Sequence, residues 1–500
     1  MKHTRKPVGL FLILIVSLLL FLISCSKKKE DSSSTSSTPT PTVTCPSSRT
    51  ITASTTKVPL LVVRVQYANA TFQSSESTWA DKIFGTSDGQ MNHYLAETTY
   101  NKYQFTPITE TSGTTNDGLV TVTMAGNHPD TRNYGVDNIS KRYDCYAAAA
   151  ITEADSDVNF AAYDTDSNDK ISVSELQVIF LVAGGESATG LNTPGGVWGM
   201  ATSLSCDADG DGLEAESGEY WMTLDNVSLM GRTDSAYGQN GFSQFGERQG
   251  SSSTNTWDAT IGVMAHELGH AYFLLPDLYD TSETGAGIGN FGLMGSGAWG
   301  YKSLSEKSGA TPVHLSAWSK EKISVCVPQT VDSGTNNITL PAVFQSSIHA
   351  ASCGIYKAST STSDEYFLFE NRSPGGYDRG LYFKILYGGH DSIYSNNDDL
   401  YTGGVAIWHV KDILSSCLNL STNNCEAQSP KLVDLEEAND GDLDNALSNG
   451  RTTHLFYSGN SVSFSNSSTP DSKLYDCSSS GISATNISAA GDNMTLNISK

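Results

Sequence analysis

His266, Glu267 and His270 are the residues of this chain whose types and spacing could do chemistry together. They stand in the pentapeptide His266-Glu267-Leu268-Gly269-His270. On a helix, residues four apart lie about 40° apart around the axis and one turn apart along it. Two imidazoles so placed can hold one divalent ion, and zinc is the usual partner of such a pair. Glu267 falls on the adjacent arc, about 60° from His270. From there its carboxylate can reach a water beside the ion without ligating the ion itself, which is the position of a general base. The bland alternative is two surface histidines and a solvated glutamate; placement inside an amphipathic segment argues against it.

That segment is 257–275, WDATIGVMAHELGHAYFLL. Ile261, Met264, Ala265, Leu268, Tyr272 and Leu275 recur at spacings of three and four, which predicts a helix. Asp258 is the expected N-cap and Pro276 the expected stop. Upstream, the β-branched run 58–66 (VPLLVVRVQ) reads as a buried strand, a helix is expected near Asp88–Glu97, and Leu176–Ala183 reads as a second buried strand ended by Gly184-Gly185. Beyond about residue 325 the texture changes to short alternating runs at 366–369, 404–410, 461–465 and 493–498 between Gly, Asn and Ser clusters, the pattern of an all-β region.

After His270 the chain reads Ala271-Tyr272-Phe273-Leu274-Leu275-Pro276-Asp277-Leu278-Tyr279-Asp280. With the HELGH block, this resembles the immune inhibitor A-type metallopeptidases, whose pattern is close to HExGHxxGxPDxYD. The stretch 287–300 (GIGNFGLMGSGAWG) resembles that family's Met-containing turn, which would put Met294 beneath the metal. Weaker likenesses lie in 58–66, 370–381 (ENRSPGGYDRGL), 403–410 (GGVAIWHV) and 434–441 (DLEEANDG), so the resemblance spans roughly residues 57–445. It implies an α/β zincin-like catalytic domain over 57–325, followed by an all-β, sandwich-like C-terminal domain over 326–500. It further implies a zinc metalloendopeptidase acting on extracellular proteins or peptides, with zinc held by His266, His270 and a third residue and with Glu267 as general base. Asp277 is the foremost third ligand, with Asp280 and Glu283 as alternatives. The chain departs from the pattern in one place. Phe273 stands where the family has Gly, and one extra residue precedes Pro276-Asp277. A Gly there would let the helix end in a left-handed turn; without it, a longer helix ending at Pro276 is expected.

Asp164 to Glu175 (DTDSNDKISVSE) has the spacing of an EF-hand-type loop, with ligands expected from Asp164, Asp166, Asn168, the Lys170 carbonyl and Glu175. Asp169 replaces the usual Gly, and the flanks do not read as two helices, so an isolated Ca²⁺ loop is expected, with a polar turn as the alternative. Asp207–Gly212 is a less complete acidic loop and 439–444 a weaker one.

Lys2, Arg5 and Lys6 precede the apolar run Val8–Ile23, and Leu22-Ile23-Ser24-Cys25 resembles a bacterial lipobox. The expectation is an export signal over 1–24, lipid on Cys25, a disordered Ser/Thr/Pro linker over 25–56, and attachment to the membrane through that lipid at the cell surface or outer membrane. An uncleaved signal-anchor helix is the alternative. The other eight Cys suggest disulfides in an exported protein, with Cys417 and Cys425 near enough for a local clip. The 54 acidic residues exceed the 30 basic ones by 24, which argues against nucleic-acid binding and suits an exported, calcium-tolerant protein. Two rivals stand beside the peptidase reading: an inactive zincin-fold surface binding protein, and a calcium-dependent adhesin in which HELGH is incidental.

Overall fold

The computed structural model describes residues 55–130, 143–202, 222–229, 242–345, 353–382, 401–413, 425–427, 429–439, 441–445 and 448–500. The expected signal segment, Cys25, the expected linker up to residue 54, Cys417 and the Asp207–Gly212 loop lie outside the described residues; Thr56, expected in the linker, opens the first strand. The fold is mixed α/β with few helices and a β-rich C-terminal region.

The β-branched run near the start becomes the strand Thr56–Tyr67, the spine of an eight-stranded sheet. Gln177–Glu186 lies parallel to it on one side, and Tyr103–Pro107 and Leu119–Met124 share its other side, also parallel. Phe242–Ser252 lies parallel beyond Gln177–Glu186, and the hairpin partner Asn255–Asp258 closes that edge. Such a sheet must be covered on both faces, which is why its strands read as continuous apolar runs. Leu60, Val62, Ile179, Leu181 and Phe245 face the layer that holds the HELGH helix. Their alternating neighbours Leu61, Val63, Val178, Phe180 and Phe242 face the helix Tyr143–Glu153.

The second strand does not end at Gly184-Gly185 as the sequence suggests. It runs on to Glu186, because Gly185 and Glu186 pair with Gly196 and Val197. The expected helix near residue 90 is found as Met91–Thr98.

In the C-terminal region, Glu365–Arg372 and Gly404–Lys411 form the centre of a five-stranded sheet. A three-stranded antiparallel sheet, Thr335–Pro341, Asn493–Ser499 and Ser483–Thr485, packs against one face through Phe367, Phe369, Val405, Ile407, Leu340, Met494 and Leu496. The alternate residues Leu368, Ala406, Trp408 and Val410 instead join the apolar cluster around the HELGH helix. One core is thus shared by the helix layer and the C-terminal sheet. The run 461–465 forms only isolated bridges, among them Phe464 with Ala484. Cys326 and Cys353 form a disulfide across a Cα separation of 5.7 Å, Cys145 and Cys425 are each in a disulfide with a residue outside the described ones, and Cys477 is a free, exposed thiol.

Candidate metal centre

The HELGH helix spans Ile261–Ala271, shorter than the sequence suggests at both ends. Asp258 does not cap it. Asp258 ends the strand Asn255–Asp258, where it pairs with Arg248 and accepts from the Ser74 hydroxyl at 2.7 Å. Thr260 occupies the cap position, with its hydroxyl turned to the Ser308 carbonyl at 2.9 Å.

The other end resolves the departure at Phe273. The helix stops at Ala271, well before Pro276, and Leu274 takes the left-handed conformation with φ 54°. An L-residue there costs roughly 1–2 kcal/mol. The turn is held by Leu274 N–H to the His270 carbonyl and Leu275 N–H to the Gly269 carbonyl, both 3.0 Å. The chain therefore doubles back one residue later than the family pattern, which accounts for the extra residue before Pro276-Asp277. Leu275 and Leu278 lie in the core, and Asp277 between them returns to the helix.

Three donor atoms converge there. His266 Nε2, His270 Nε2 and an Asp277 carboxylate oxygen each lie 3.1 Å from the other two. The imidazole tautomers follow from the opposite ring edges. His266 Nδ1 is 3.0 Å from the Leu293 carbonyl, and His270 Nδ1 is 2.6 Å from the Leu275 carbonyl. A carbonyl only accepts, so each Nδ1 carries the hydrogen and each neutral ring turns a bare Nε2 lone pair inward. Two lone pairs and a carboxylate crowded together repel one another unless a cation lies among them. Three donors about 2.0–2.1 Å from a tetrahedral ion would lie roughly 3.3 Å apart, so the spacing fits zinc. The carbonyls on Nδ1 are the outer partners that orient metal-binding imidazoles.

Of the three carboxylates considered, Asp277 alone joins this cluster among the described residues. Asp280 is turned into its own loop, accepting from the N–H groups of Ser282 at 2.7 Å, Thr284 at 3.0 Å and Gly285 at 2.9 Å. Glu283 is exposed. Met294 packs beneath the helix. A Cβ built on Gly269 would lie 2.5 Å from the Met294 sulfur, so Gly269 lets the helix lie directly on this side chain.

Glu267 is buried, and its carboxylate makes no hydrogen bond among the described residues. Burial pushes it up to about 8; His266 opposes this, while the nearby acids Asp277 and Glu186 add to it. A side chain this desolvated and uncommitted can accept and return a proton. Asp277 is held far below the usual carboxylate range by both imidazoles despite its burial.

Residues 217–325 match the immune inhibitor A peptidase M6 catalytic domain. The segment that holds the site is similar to the catalytic domain of that metallopeptidase family. The matched residues include all three converging donors, Glu267 and the Met294 turn. No curated protein matches the chain.

Sequence reasoning missed two supports of the site. Glu186, fully buried, accepts from the N–H groups of Ala188 at 3.0 Å, Gly199 at 3.1 Å and Gly246 at 2.9 Å, and burial raises it to about 7. No spacing rule marks it, because its partners are backbone groups. The other support is Arg372, singled out only as part of a family-like stretch. It pairs with Asp378 at 2.6 Å and donates to the Phe291 carbonyl, two residues before the Leu293 carbonyl that orients His266. Asp378 also accepts from the His314 N–H at 3.1 Å, and the His314 carbonyl accepts from the Leu293 N–H at 3.2 Å.

In the acidic loop, carboxylate oxygens of Asp164, Asp166 and Glu175 lie within 4.8 Å of one another. They also accept local hydrogen bonds. Asp164 takes the N–H groups of Asn168 and Asp169 at 3.0 Å, Asp166 takes the Asn168 amide at 2.9 Å, and Glu175 takes the N–H groups of Thr165 at 2.8 Å and Ser172 at 2.9 Å. Asp169 has φ 61°, the geometry usually left to Gly at this position. Lys170 opens a short strand with Ile171, paired to Ser228 and Leu229, and no helix follows.

Proposed function

We propose that the protein is a zincin-like zinc metalloendopeptidase, with zinc held by His266, His270 and Asp277. The observation that carries this is the convergence of two Nε2 lone pairs and a carboxylate at 3.1 Å, with both tautomers fixed from behind. Zinc bound there would act as a Lewis acid toward the scissile carbonyl and the attacking water. Glu267 takes the proton from that water and later delivers it to the leaving amine; its freedom from other hydrogen bonds leaves it available for both transfers. The Glu267→Ala protein should keep one zinc per chain and lose at least about 10²-fold in peptide cleavage. Cleavage near the wild-type rate would sink the mechanism, and an inactive wild-type protein that binds zinc would favour the surface binding protein.

We further propose that the chain is exported and lipid-anchored at the bacterial surface through Cys25. The charged start, apolar run and lipobox-like tetrapeptide support this. The mass of the N-terminal peptide of the mature protein tests it: an unmodified Cys25 would refute the anchor. The loop Asp164–Glu175 is proposed as a Ca²⁺ site on its ligand spacing and its three gathered carboxylates.

A further inference from the structure

The turn between His270 and Asp277 reverses the chain without a glycine. Leu274 holds φ 54°, a conformation that L side chains disfavour. The same turn sets two of the converging donors. The Leu275 carbonyl accepts from His270 Nδ1 at 2.6 Å, and Asp277 follows Leu275 by two residues. Whatever keeps Leu274 in that conformation therefore fixes both the aim of one imidazole and the return of the carboxylate.

Phe273, immediately before Leu274, is half-buried and anchored by its ring. It meets Tyr103 edge to face, with centroids 5.0 Å apart and planes at 78°, and the neighbouring Tyr272 at 4.9 Å and 77°. Tyr272 meets Tyr103 at 6.0 Å and Phe105 at 5.8 Å, again edge to face. Tyr103 and Phe105 stand on the strand Tyr103–Pro107, which is fastened from three sides. It pairs with Thr56–Tyr67, the Phe105 backbone exchanges two hydrogen bonds of 2.9 Å with the Asn92 side chain, and the Tyr103 hydroxyl donates to the Ile323 carbonyl at 3.2 Å. Edge-to-face contacts of this kind are of the same order as the strain of one left-handed L-residue, so the ring cluster can hold the turn. We propose that Phe273 is a positioning residue for the metal: its ring, set against Tyr103, holds the Leu274 turn and so aims His270 and Asp277. The proposal rests on the zinc peptidase reading above. Phe273 acts through the Leu275 carbonyl and the Asp277 carboxylate.

The test measures the zinc affinity of the full-length protein by competition with a chelator of known affinity. It also measures the visible absorption of the same protein loaded with Co²⁺, whose intensity reports how closely the donors hold a tetrahedral arrangement. Phe273→Ala should weaken zinc binding by about 10–100-fold, the usual loss when the support behind a metal ligand is removed, and should lower the Co²⁺ absorption. Phe273→Tyr keeps the ring and should stay within about three-fold of wild type. Tyr103→Leu leaves the sequence of the turn intact but removes the ring it leans on, so it should also weaken zinc binding and lower the Co²⁺ absorption. A ring that only fills space would lower the melting temperature of the metal-free protein and leave both metal readouts at wild-type values; that outcome in Phe273→Ala overturns the proposal. Should Phe273→Ala not fold, Tyr103→Leu decides alone: wild-type zinc affinity and Co²⁺ absorption in it overturn the proposal while leaving the peptidase reading intact. A folded wild type that takes up neither metal overturns that reading, and the positioning role with it.

Discussion

Glu186 shows how one carboxyl can link pH to the stability of the site. In the unfolded chain it titrates near 4.5; in the fold, burial raises it to about 7. The folded state then holds the proton more tightly, so this contribution to stability is complete below about pH 4.5 and is lost as pH rises through about 7. The difference is worth roughly 3 kcal/mol at most. Glu186→Gln keeps the acceptor oxygen and removes the titration. Its unfolding free energy should therefore gain on the wild type between pH 5 and pH 8, measured by denaturant titration with zinc present throughout. Parallel pH curves for the two proteins would show that Glu186 does not titrate in this range. Residues that act through backbone partners, as Glu186 does, are not legible in a sequence. His266, Glu267 and His270 were legible because their own types and spacing carry the geometry, whereas Asp277 stood out from Asp280 and Glu283 only through the family resemblance.

At the scale of elements, helix type was readable and helix ends were not. The periodicity of 257–275 marks the helix correctly, but Asp258 is claimed by Arg248 and the hairpin strand, and Leu274 takes the turn that Gly would normally supply. Tertiary pairing overrides a local cap preference in the first case and a steric preference in the second. The loop Asp164–Glu175 is the element where a prediction separates two readings. Three carboxylates gathered within 4.8 Å repel one another without a cation. Calcium should raise the melting temperature by mass action, and Asp164→Ala should reduce that rise because it removes a ligand and a charge. The N–H donors already directed at Asp164 and Glu175 offset part of the repulsion, so the comparison is of mutant with wild type across a calcium titration. Superimposable titrations would identify the loop as a polar turn.

For the whole molecule, the decisive feature is the core shared between the HELGH layer and the C-terminal sheet. Leu368, Tyr377, Trp408 and Val410 bury their side chains in it. Four such side chains contribute roughly 6–12 kcal/mol at 1.5–3 kcal/mol each, comparable to the whole stability of a domain. The same surface carries Lys320 against Glu370 at 3.4 Å and the Tyr377 N–H donating to Glu97 at 2.5 Å, buried contacts with no solvent to replace a lost partner. A chain ending at residue 325 should therefore fail to unfold cooperatively and should bind less than one zinc per chain, as read by calorimetry and metal analysis. A sharp transition with full zinc content would show that the helix layer stands alone. The change of texture near residue 325 was visible in the sequence, but alternation reports only that a strand has two faces. That Leu368 and Trp408 face the helix layer while Phe367 and Ile407 face the small sheet depends on which layers meet.

Arg372 gives this arrangement a dimension in time. It supports the turn beside the converging His266, His270 and Asp277, yet it is made 78 residues after Met294. At about 5–20 residues per second, a ribosome takes roughly 4–16 s to cover that distance. During that interval the nascent chain already holds His266, Glu267, His270 and Asp277 but lacks the guanidinium that fastens the Phe291 carbonyl near them. The surroundings of the site are therefore completed from the C-terminal side of the chain, after the residues of the site have themselves been made.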